Sequence, residues 1–478
     1  MKNGIIISLI FYFFGILPAN CDIYNFDLEK FETTFNQYCK NCSKEVDLER
    51  EIESFLEQEA IPVSLDECLD VALKNNFDIK TRFETYKSYE YLHKNALAKF
   101  LPDFAYSWYS IYYRGQVLVG TALVDRFNEL ALSSSIVVRH SLTEGGKQIF
   151  DSKEAKFKKF AQNENYKYTK EEVLMYTGVY YWQLLQAKIT IEIHLKNLYE
   201  RMAQLKLTQN LETSGMGTKF DVIRQKNEVA SAKRSLIEAM NNFRLMQAKL
   251  SNIMGIEIKT PLYPVEREVK PNNLIDKNIG LEELYEIAHK NRKDIKALQN
   301  EIRAAKYDKK SIYTEFSPKP RIFYQNQYQG TAKIGLGGSN VVGLYVDWAL
   351  GENLGAGTIT KAKAKQHEIN AMVFNLQNKI RQIEEELLNS YYNSKLLLQR
   401  IDITKKQVNY ATESVTLAEM RLDAGEGILI DVIQAQSQKT LARIEYLQAV
   451  IEYNINQVEL LFDEGIIDID KIIANYNP

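Results

Sequence analysis

Proline limits the fold of this chain most, because of where it is missing. Its nine prolines stand at 18, 62, 102, 261, 264, 271, 318, 320 and 478, so two stretches, 103–260 and 321–477, contain none. Proline inside a helix costs roughly 3 kcal/mol, so tracts free of it suit unusually long helices. Glycine is nearly as sparse there: only Gly178 lies between Asp151 and Ser214, and none lies between Thr358 and Ala424. Apolar residues recur every three or four positions, as in Val415, Leu417, Ala418 and Leu422, or Ile444, Leu447, Val450 and Ile451, with Lys and Glu on the other faces. This predicts four helices, roughly 144–211, 218–254, 357–424 and 428–462, packed as antiparallel coiled-coil-like hairpins. At 1.5 Å per residue, the longer two reach about 100 Å.

The hairpins turn at two related breaks, ETSGMGTKFDVIRQ (212–225) and RLDAGEGILIDVIQAQ (421–436). Gly215 and Gly217 fall where Gly425 and Gly427 fall, and Asp221-Val222-Ile223 matches Asp431-Val432-Ile433, 210 positions on. Glycine reaches the left-handed conformation that stops a helix. A second match lies 216 positions apart: SLDECLDVALKNNFDIK (64–80) aligns with GLEELYEIAHKNRKDIK (280–296), and Pro102 then falls opposite Pro318. The chain is therefore an internal duplication, with repeats at 64–255 and 280–466, a proline-bearing linker at 256–279 and a tail at 467–478. Ser64, with Glu67 three residues on, predicts a capped helix to Asn75 with Leu65, Cys68, Leu69, Ala72 and Leu73 on one face. A second helix follows from about Phe77 to Phe100.

After its proline each half turns strand-like. Leu130, Leu132, Ile136, Val138 and Leu142 alternate with Ala131, Ser133, Ser135, Arg139 and Ser141; Val342, Leu344, Val346, Trp348 and Leu350 alternate with Gly343, Tyr345, Asp347 and Ala349. Their expected partners, 104–113 and 322–329, are rich in aromatics, which also suits the interfacial belt of a membrane protein. Alternation with aromatics near the strand ends is the pattern of a membrane barrel strand. The four strands read as two separate pairs, too few to close a barrel, and a bilayer does not tolerate open sheet edges. Strands that meet lipid must therefore share a barrel with other chains. Arg139 and Asp347 lie on the polar faces, facing either a lumen or solvent.

The N-terminal run from Ile5 to Leu17 behind Lys2 reads as a signal peptide over 1–21, followed by an acidic extension over 22–63. Either Cys21 ends the leader, or it is the acylated first residue of a lipoprotein. Cys39-Lys-Asn-Cys42 has no second pair to complete a zinc site, which leaves a local disulfide or free thiols. No other segment is apolar enough for a spanning helix. With 60 basic and 62 acidic residues, nothing favours nucleic acid. The five histidines are scattered, and no nucleophile elbow or P-loop occurs, so neither an enzyme nor a cofactor is expected. The glycines at 335–338 and 351–357 adjoin turns rather than a nucleotide site.

These features together resemble the TolC-like outer-membrane efflux proteins over about residues 64–466. They are the duplicated halves, the amphipathic opening helix, the helix–proline–strand step and the two glycine-bearing tips ending in Asp-Val. The resemblance implies an α+β fold in a homotrimer, each chain giving four strands to a 12-stranded barrel in outer-membrane lipid and long helices to a periplasmic α-barrel. The chain would then be the passive exit duct of a tripartite efflux pump or type I secretion system. Its partners would be a periplasmic adaptor docked at Gly215, Gly217, Gly425 and Gly427, and an inner-membrane transporter. Asp431 falls where the family often places a constricting aspartate ring, and Asp221 at the matching place in the first repeat. Both aspartates also suit a helix N-terminus, where the dipole favours negative charge. The sequence departs from the family at Gly427, Gln434 and Leu422, in place of a gate arginine, a second aspartate and a tyrosine. The rival reading is a periplasmic coiled-coil scaffold with a small soluble sheet.

Overall fold

The computed structural model describes residues 60–119, 122–266, 268–275, 279–331 and 335–473. The expected signal peptide with Cys21, residues 22–59 of the expected extension with Cys39 and Cys42, and the last five residues lie outside that set. In chain order the elements are β1 (Ile61–Val63), α1 (Leu65–Asn75), α2 (Phe77–Ala98), β2 (Asp103–Val119) and β3 (Ala122–Ser141). The long helices α3 (Lys147–Thr213) and α4 (Lys219–Ile253) follow, then β4 (Leu262–Pro264). The second half repeats the series: α5 (Leu281–Asn291), α6 (Lys293–Tyr313), β5 (Lys319–Thr331), β6 (Gly335–Asp347), α7 (Ala356–Asp423), α8 (Leu429–Asp463) and the short α9 (Ile469–Ile473).

The proline-free tracts do form the long helices: α3 has 67 residues and α7 has 68, each about 100 Å long. Nearer the sheet the helices pack in the row α2–α3–α6–α7; toward the hairpin tips the row is α4–α3–α8–α7. Buried Leu284, Ala288, Ile295, Ile383, Leu387 and Leu460 form one core cluster, and Leu397, Ile401, Ala449, Val450 and Tyr453 another. Burying each such side chain contributes roughly 1.5–3 kcal/mol. Leu417, whose spacing fits the seam, is exposed within the chain.

The duplication extends to single atoms. Asn76 links α1 to α2 at φ −56°, ψ 132°, and 216 positions on Arg292 links α5 to α6 at φ −51°, ψ 123°. The Asn76 amide donates to the Ile253 carbonyl at 2.8 Å, where α4 ends; Arg292 Nη1 donates to the Phe462 carbonyl at 3.3 Å, where α8 ends. Beside them stand Gly255 (φ +66°) and Gly465 (φ +67°), where an added Cβ would lie 2.5 Å from the Asn75 carbonyl oxygen and 2.8 Å from the Arg292 nitrogen. Both positions therefore require glycine twice over, for backbone sign and for space. Ser64 opens α1 with the expected capping box, its backbone N–H donating to Glu67 at 3.1 Å.

The strands depart from expectation in two ways. They form one sheet of order β2-β3-β5-β6, not two separate pairs, because β3 and β5 pair from Ala131↔Thr331 to Ser141↔Arg321. This pairing across the two halves leaves no trace in local periodicity. The hairpins also differ in extent: β2 and β3 run well past 113 and 130 toward each other, and β6 ends at Asp347, short of Trp348 and Leu350. The β6 strand instead reaches back through Gly337 and Gly338, so these glycines serve a strand rather than a turn. A Cβ at Gly338 would meet the Tyr328 ring at 2.6 Å, and one at Gly343 the Phe323 ring at 2.4 Å. Each glycine makes room for the aromatic ring directly across the ladder.

The linker between the halves is packed rather than loose. Its β4 pairs in parallel with β1, Ile61 opposite Leu262. Buried Lys188 of α3 donates to the carbonyls of Pro264 at 2.9 Å and Glu266 at 2.7 Å, and the Tyr181 hydroxyl bonds Val63 and Glu266.

Candidate functional site

Register sorts the sheet into two faces, since residues directly opposite each other point the same way. One face carries Phe104, Tyr106, Trp108, Leu132, Ile136, Val138, Ile322, Tyr324, Val342, Leu344 and Val346. Trp108 is 62% exposed and Leu344 65%. The other carries Ser107, Ser133, Ser135, Arg139, Arg321, Gln325, Gln327, Gln329 and Asp347. Gln325 donates to Gln327 and Gln327 to Gln329, both at 2.9 Å, and Ser107 bonds Ser135 at 2.8 Å. Arg139 and Asp347 thus share the polar face. Arg139 stands opposite Asp103, and Asp347 lies 3.6 Å from Arg321 at the helix-side end of the sheet. The polar face is also the more occluded, with Ser133 and Val137 buried.

Among the described residues the outer strands β2 and β6 each lack a neighbour on one side. A four-stranded sheet with one bare, mostly apolar face, interrupted by Ser134, His140, Asn326 and Asn340, and two open edges is a hazard in water. A matching surface runs down α7, where Leu396, Ile403, Tyr410 and Leu417 recur every seventh residue and are 54–68% exposed. A strict heptad of exposed apolar residues is a coiled-coil seam awaiting another helix.

At the far end, both hairpin tips close in the same way. Met216 N–H donates to the Leu211 carbonyl and Gly215 N–H to that of Glu212; Glu426 and Gly425 donate likewise to Arg421 and Leu422, all at 2.9–3.0 Å. This is a Schellman stop, with Gly215 at φ +78° and Gly425 at φ +73° in the left-handed position. The second glycine has a different task. A Cβ at Gly217 would lie 3.1 Å from the Glu212 nitrogen, and one at Gly427 2.9 Å from the Leu422 nitrogen. Met216, Phe220 and Ile428 stand exposed around the turns.

The aspartates of the two repeats are not equivalent. Thr218 caps α4: its hydroxyl accepts from the Asp221 backbone N–H at 3.2 Å and donates to the Asp221 carboxylate at 2.6 Å. Asp221 is therefore engaged in closing its own helix. At the matching position before α8 stands Ile428, which has no oxygen to offer, and no side chain caps that helix. The exposed Asp431 lines a groove of ≈ 430 Å³ with Arg421, Glu413 and Gln434.

Sequence patterns gave no sign of the polar bonds above the tips. Buried Arg201 of α3 donates to Ser437 Oγ at 2.7 Å and the Ile433 carbonyl at 3.3 Å, and Lys439 pairs with Glu200 at 3.0 Å. These bonds hold α8 to α3 within about two and a half turns of Asp431. An arginine in a lysine-rich helix carries no local signal that it is buried.

No protein-family model matches the sequence, and no curated protein matches it either. The folded backbone, by contrast, closely follows solved structures. The outer-membrane channel OprN matches with a TM-score of 0.74 at 16% identity, over 84% of this chain and 89% of that one. The chain has a TolC-like outer-membrane channel fold. The CmeC outer-membrane channel of Campylobacter jejuni gives a TM-score of 0.73 at 16% identity, over 86% of this chain and 88% of that one. The outer-membrane protein VceC of Vibrio cholerae gives 0.70 at 17%, over 84% and 96%. The matches cover both halves, helices and strands alike, so the α+β architecture that the resemblance implies holds. Among the described residues no helix is long and apolar enough to cross a membrane, which says nothing of a barrel.

Proposed function

We propose that this protein is the outer-membrane exit duct of a tripartite export machine, formed by three copies that share one barrel and one helical tunnel. The observation that carries the reading is the sheet, with one polar face, one bare apolar face and two open edges. Three such sheets joined edge to edge make a closed 12-stranded barrel with no unpaired strand, the condition for crossing a bilayer. The apolar face then meets lipid, and Arg139, Asp347 and the glutamine row line the lumen. In the same assembly the α7 stripe packs against the α2/α4 edge of the next copy. The duct hydrolyses nothing; a partner transporter supplies the energy.

The tips, with their matched glycine turns and exposed Met216, Phe220 and Ile428, would dock a periplasmic adaptor linked to an inner-membrane transporter, as in efflux or type I secretion. Asp431, uncapped and exposed, would ring the constriction. Three carboxylates in a narrow throat favour cations and repel anions. Asp221 would act chiefly as a helix cap. A partner that binds the open tip more tightly than the closed one shifts the gate by that difference.

The mass of the full-length protein, extracted from membranes and corrected for bound detergent, tests the assembly. Three chains in a detergent-dependent particle are expected; a monomer or dimer released without detergent would refute it in favour of a soluble scaffold. Planar-bilayer recording tests the throat: Asp431→Asn should lower cation selectivity, and unchanged selectivity removes Asp431 from the constriction.

A further inference from the structure

The helical wall has two chemically distinct sides. On α6, Asp294, Leu298 and Glu301 line one groove, and Arg303, Lys306 and Lys310 line another. Nine residues separate Asp294 from Arg303 and Glu301 from Lys310; at about 100° per residue that is two and a half turns, so the grooves lie on opposite sides. The first groove, ≈ 640 Å³, takes side chains from every helix of the row: Arg82 of α2, Glu172 of α3, Asp294 of α6 and Lys379 of α7. Helices at both ends of a row reach one groove only on the side toward which the row curves. The second groove, ≈ 600 Å³, is therefore on the convex, outward side.

That outward groove is aromatic below and basic above. Phe157 and Tyr307 stack in its floor at 5.4 Å and 9°, beside Tyr313 and Ile369. Lys153 and Lys310 stand 5.5 and 5.2 Å from the Tyr307 ring, Arg303 lies 5.9 Å from Phe157, and Lys156 and Lys159 each lie 5.6 Å from Phe160. Among the described residues none of these five, nor Lys306, has a carboxylate within ion-pair distance. The nearby acids are taken: Glu154 by Lys158 at 2.6 Å, Asp308 by Lys365 at 2.8 Å, and Asp151 by the Ser311 hydroxyl at 2.5 Å. The field reaches α2, where burial and then Lys159 and Lys156 hold the His93 imidazole below its usual range.

Lys310 is three residues from the end of α6 and Lys153 six from the start of α3, about 5 and 9 Å from the sheet-side ends of their helices, which short five-residue connections join to the strands. Exposed Leu101, Leu142, Trp348, Leu350 and Leu354 (90% exposed) mark the level at which the apolar sheet face gives way to helix. A bilayer's headgroup layer is about 5–8 Å deep on each side, and field effects extend about 8 Å further in physiological salt. The groove sits mainly on α6, an inner helix of the row, flanked by Phe157 of α3 and by Gln366 and Ile369 of α7.

We propose that this groove binds anionic phospholipid headgroups of the leaflet below the sheet, the phosphate on the cations and the glycerol region on the aromatic floor. The inference rests on the membrane-channel reading. Uncommitted cations over aromatic rings, at headgroup depth, on the outer wall, match an anionic amphiphile. A cargo molecule in the lumen does not reach this side.

The test is native mass spectrometry of the full-length protein in neutral detergent, offered phosphatidylglycerol and phosphatidylcholine with the same acyl chains. A cation near an anionic surface strengthens binding about fivefold, so Lys153, Lys306 and Lys310 together predict a preference for phosphatidylglycerol of about 100-fold. The triple variant Lys153→Gln, Lys306→Gln, Lys310→Gln should bring the two lipids near parity. Tyr307→Leu, which changes no charge, should weaken retention of phosphatidylglycerol as well. Equal retention by the unmodified protein, or a preference that survives the triple variant, overturns the site. Displacement of the lipid by inorganic phosphate at about 10 mM would mark a free-phosphate site and overturn the lipid assignment. A protein that needs no detergent overturns both this inference and the channel; a membrane-inserted trimer without the preference overturns this inference alone.

Discussion

Replacing Arg292 with methionine should be the most damaging single change in the helical wall, and damaging in a pH-dependent way. Arg292 is 1% exposed. Its guanidinium donates twice to Asp294, at 3.1 and 2.7 Å, and once to the Phe462 carbonyl at 3.3 Å, with Asp463 at 3.8 Å. Methionine fills the space but strands two buried carboxylates, besides the more exposed Glu386 at 3.9 Å. Asp294 keeps Lys379 at 3.6 Å and the Ile295 N–H at 2.9 Å; among the described residues Asp463 keeps only the Ser390 hydroxyl at 2.9 Å. Removing one partner of a buried ion pair costs about 3–5 kcal/mol. At roughly 2 °C per kcal/mol, melting of the helical signal at 222 nm should fall by about 6–10 °C at pH 8. The pH sign follows from Asp463, whose carboxyl burial pushes up to about 7, against the pull of Ser390 and Arg292. Without the arginine it rises further. A carboxyl whose folded pKa lies above its unfolded value stabilises at low pH and loses that contribution as pH climbs through the folded pKa. The variant's deficit should therefore be smaller at pH 5.5, where Asp463 is protonated with or without the arginine, than at pH 8. A drop of less than about 2 °C at pH 8, or the same drop at both pH values, would refute the argument.

Three further outcomes are expected. Glu171 and Glu464 are also raised to about 7, each chiefly by burial, so stability should decline as pH rises from about 4 through 7. Glu464→Gln should flatten that decline in melts across the range. At the tips, Gly425→Ala puts a Cβ on a left-handed residue in open space, a cost of about 1–2 kcal/mol, which Gly425→Asn should partly avoid. Gly427→Ala instead pushes a Cβ against the preceding helix, so Asn should be worse there than Ala; hydrogen exchange of residues 421–431 separates the two. Arginine at Val138 or Leu344, on the apolar face, should cost about 2–4 kcal/mol near the bilayer centre and abolish membrane assembly, whereas Arg139→Gln should leave assembly intact.

Much of the site is local in origin and so legible in sequence. The Schellman stops at Gly215 and Gly425 need one glycine at a fixed offset, and the faces of β3 and β6 follow from a two-residue period. Sequence spacing also aligned Asp221 with Asp431 but did not separate them. What does so is the N-cap position, Thr218 against Ile428, itself a local feature once the helix start is known. The buried Arg201 and Arg292 were not legible, because their burial depends on α8, whose Ile433 and Ser437 meet Arg201 and whose Phe462 meets Arg292 from more than 150 residues away.

By itself, then, the sequence determined where helices run, where they stop, which strand faces are apolar and that the chain is one unit written twice. Those features depend on backbone propensity and periodicity within a few residues. Tertiary structure decided that β3 joins β5, so the two hairpins become one sheet with just two open edges. It also made the linker part of the wall through β1, β4 and Lys188, and set the unpaired cations on the side opposite the shared groove. These depend on which surfaces meet across the fold, and contacts between distant segments leave no period to read.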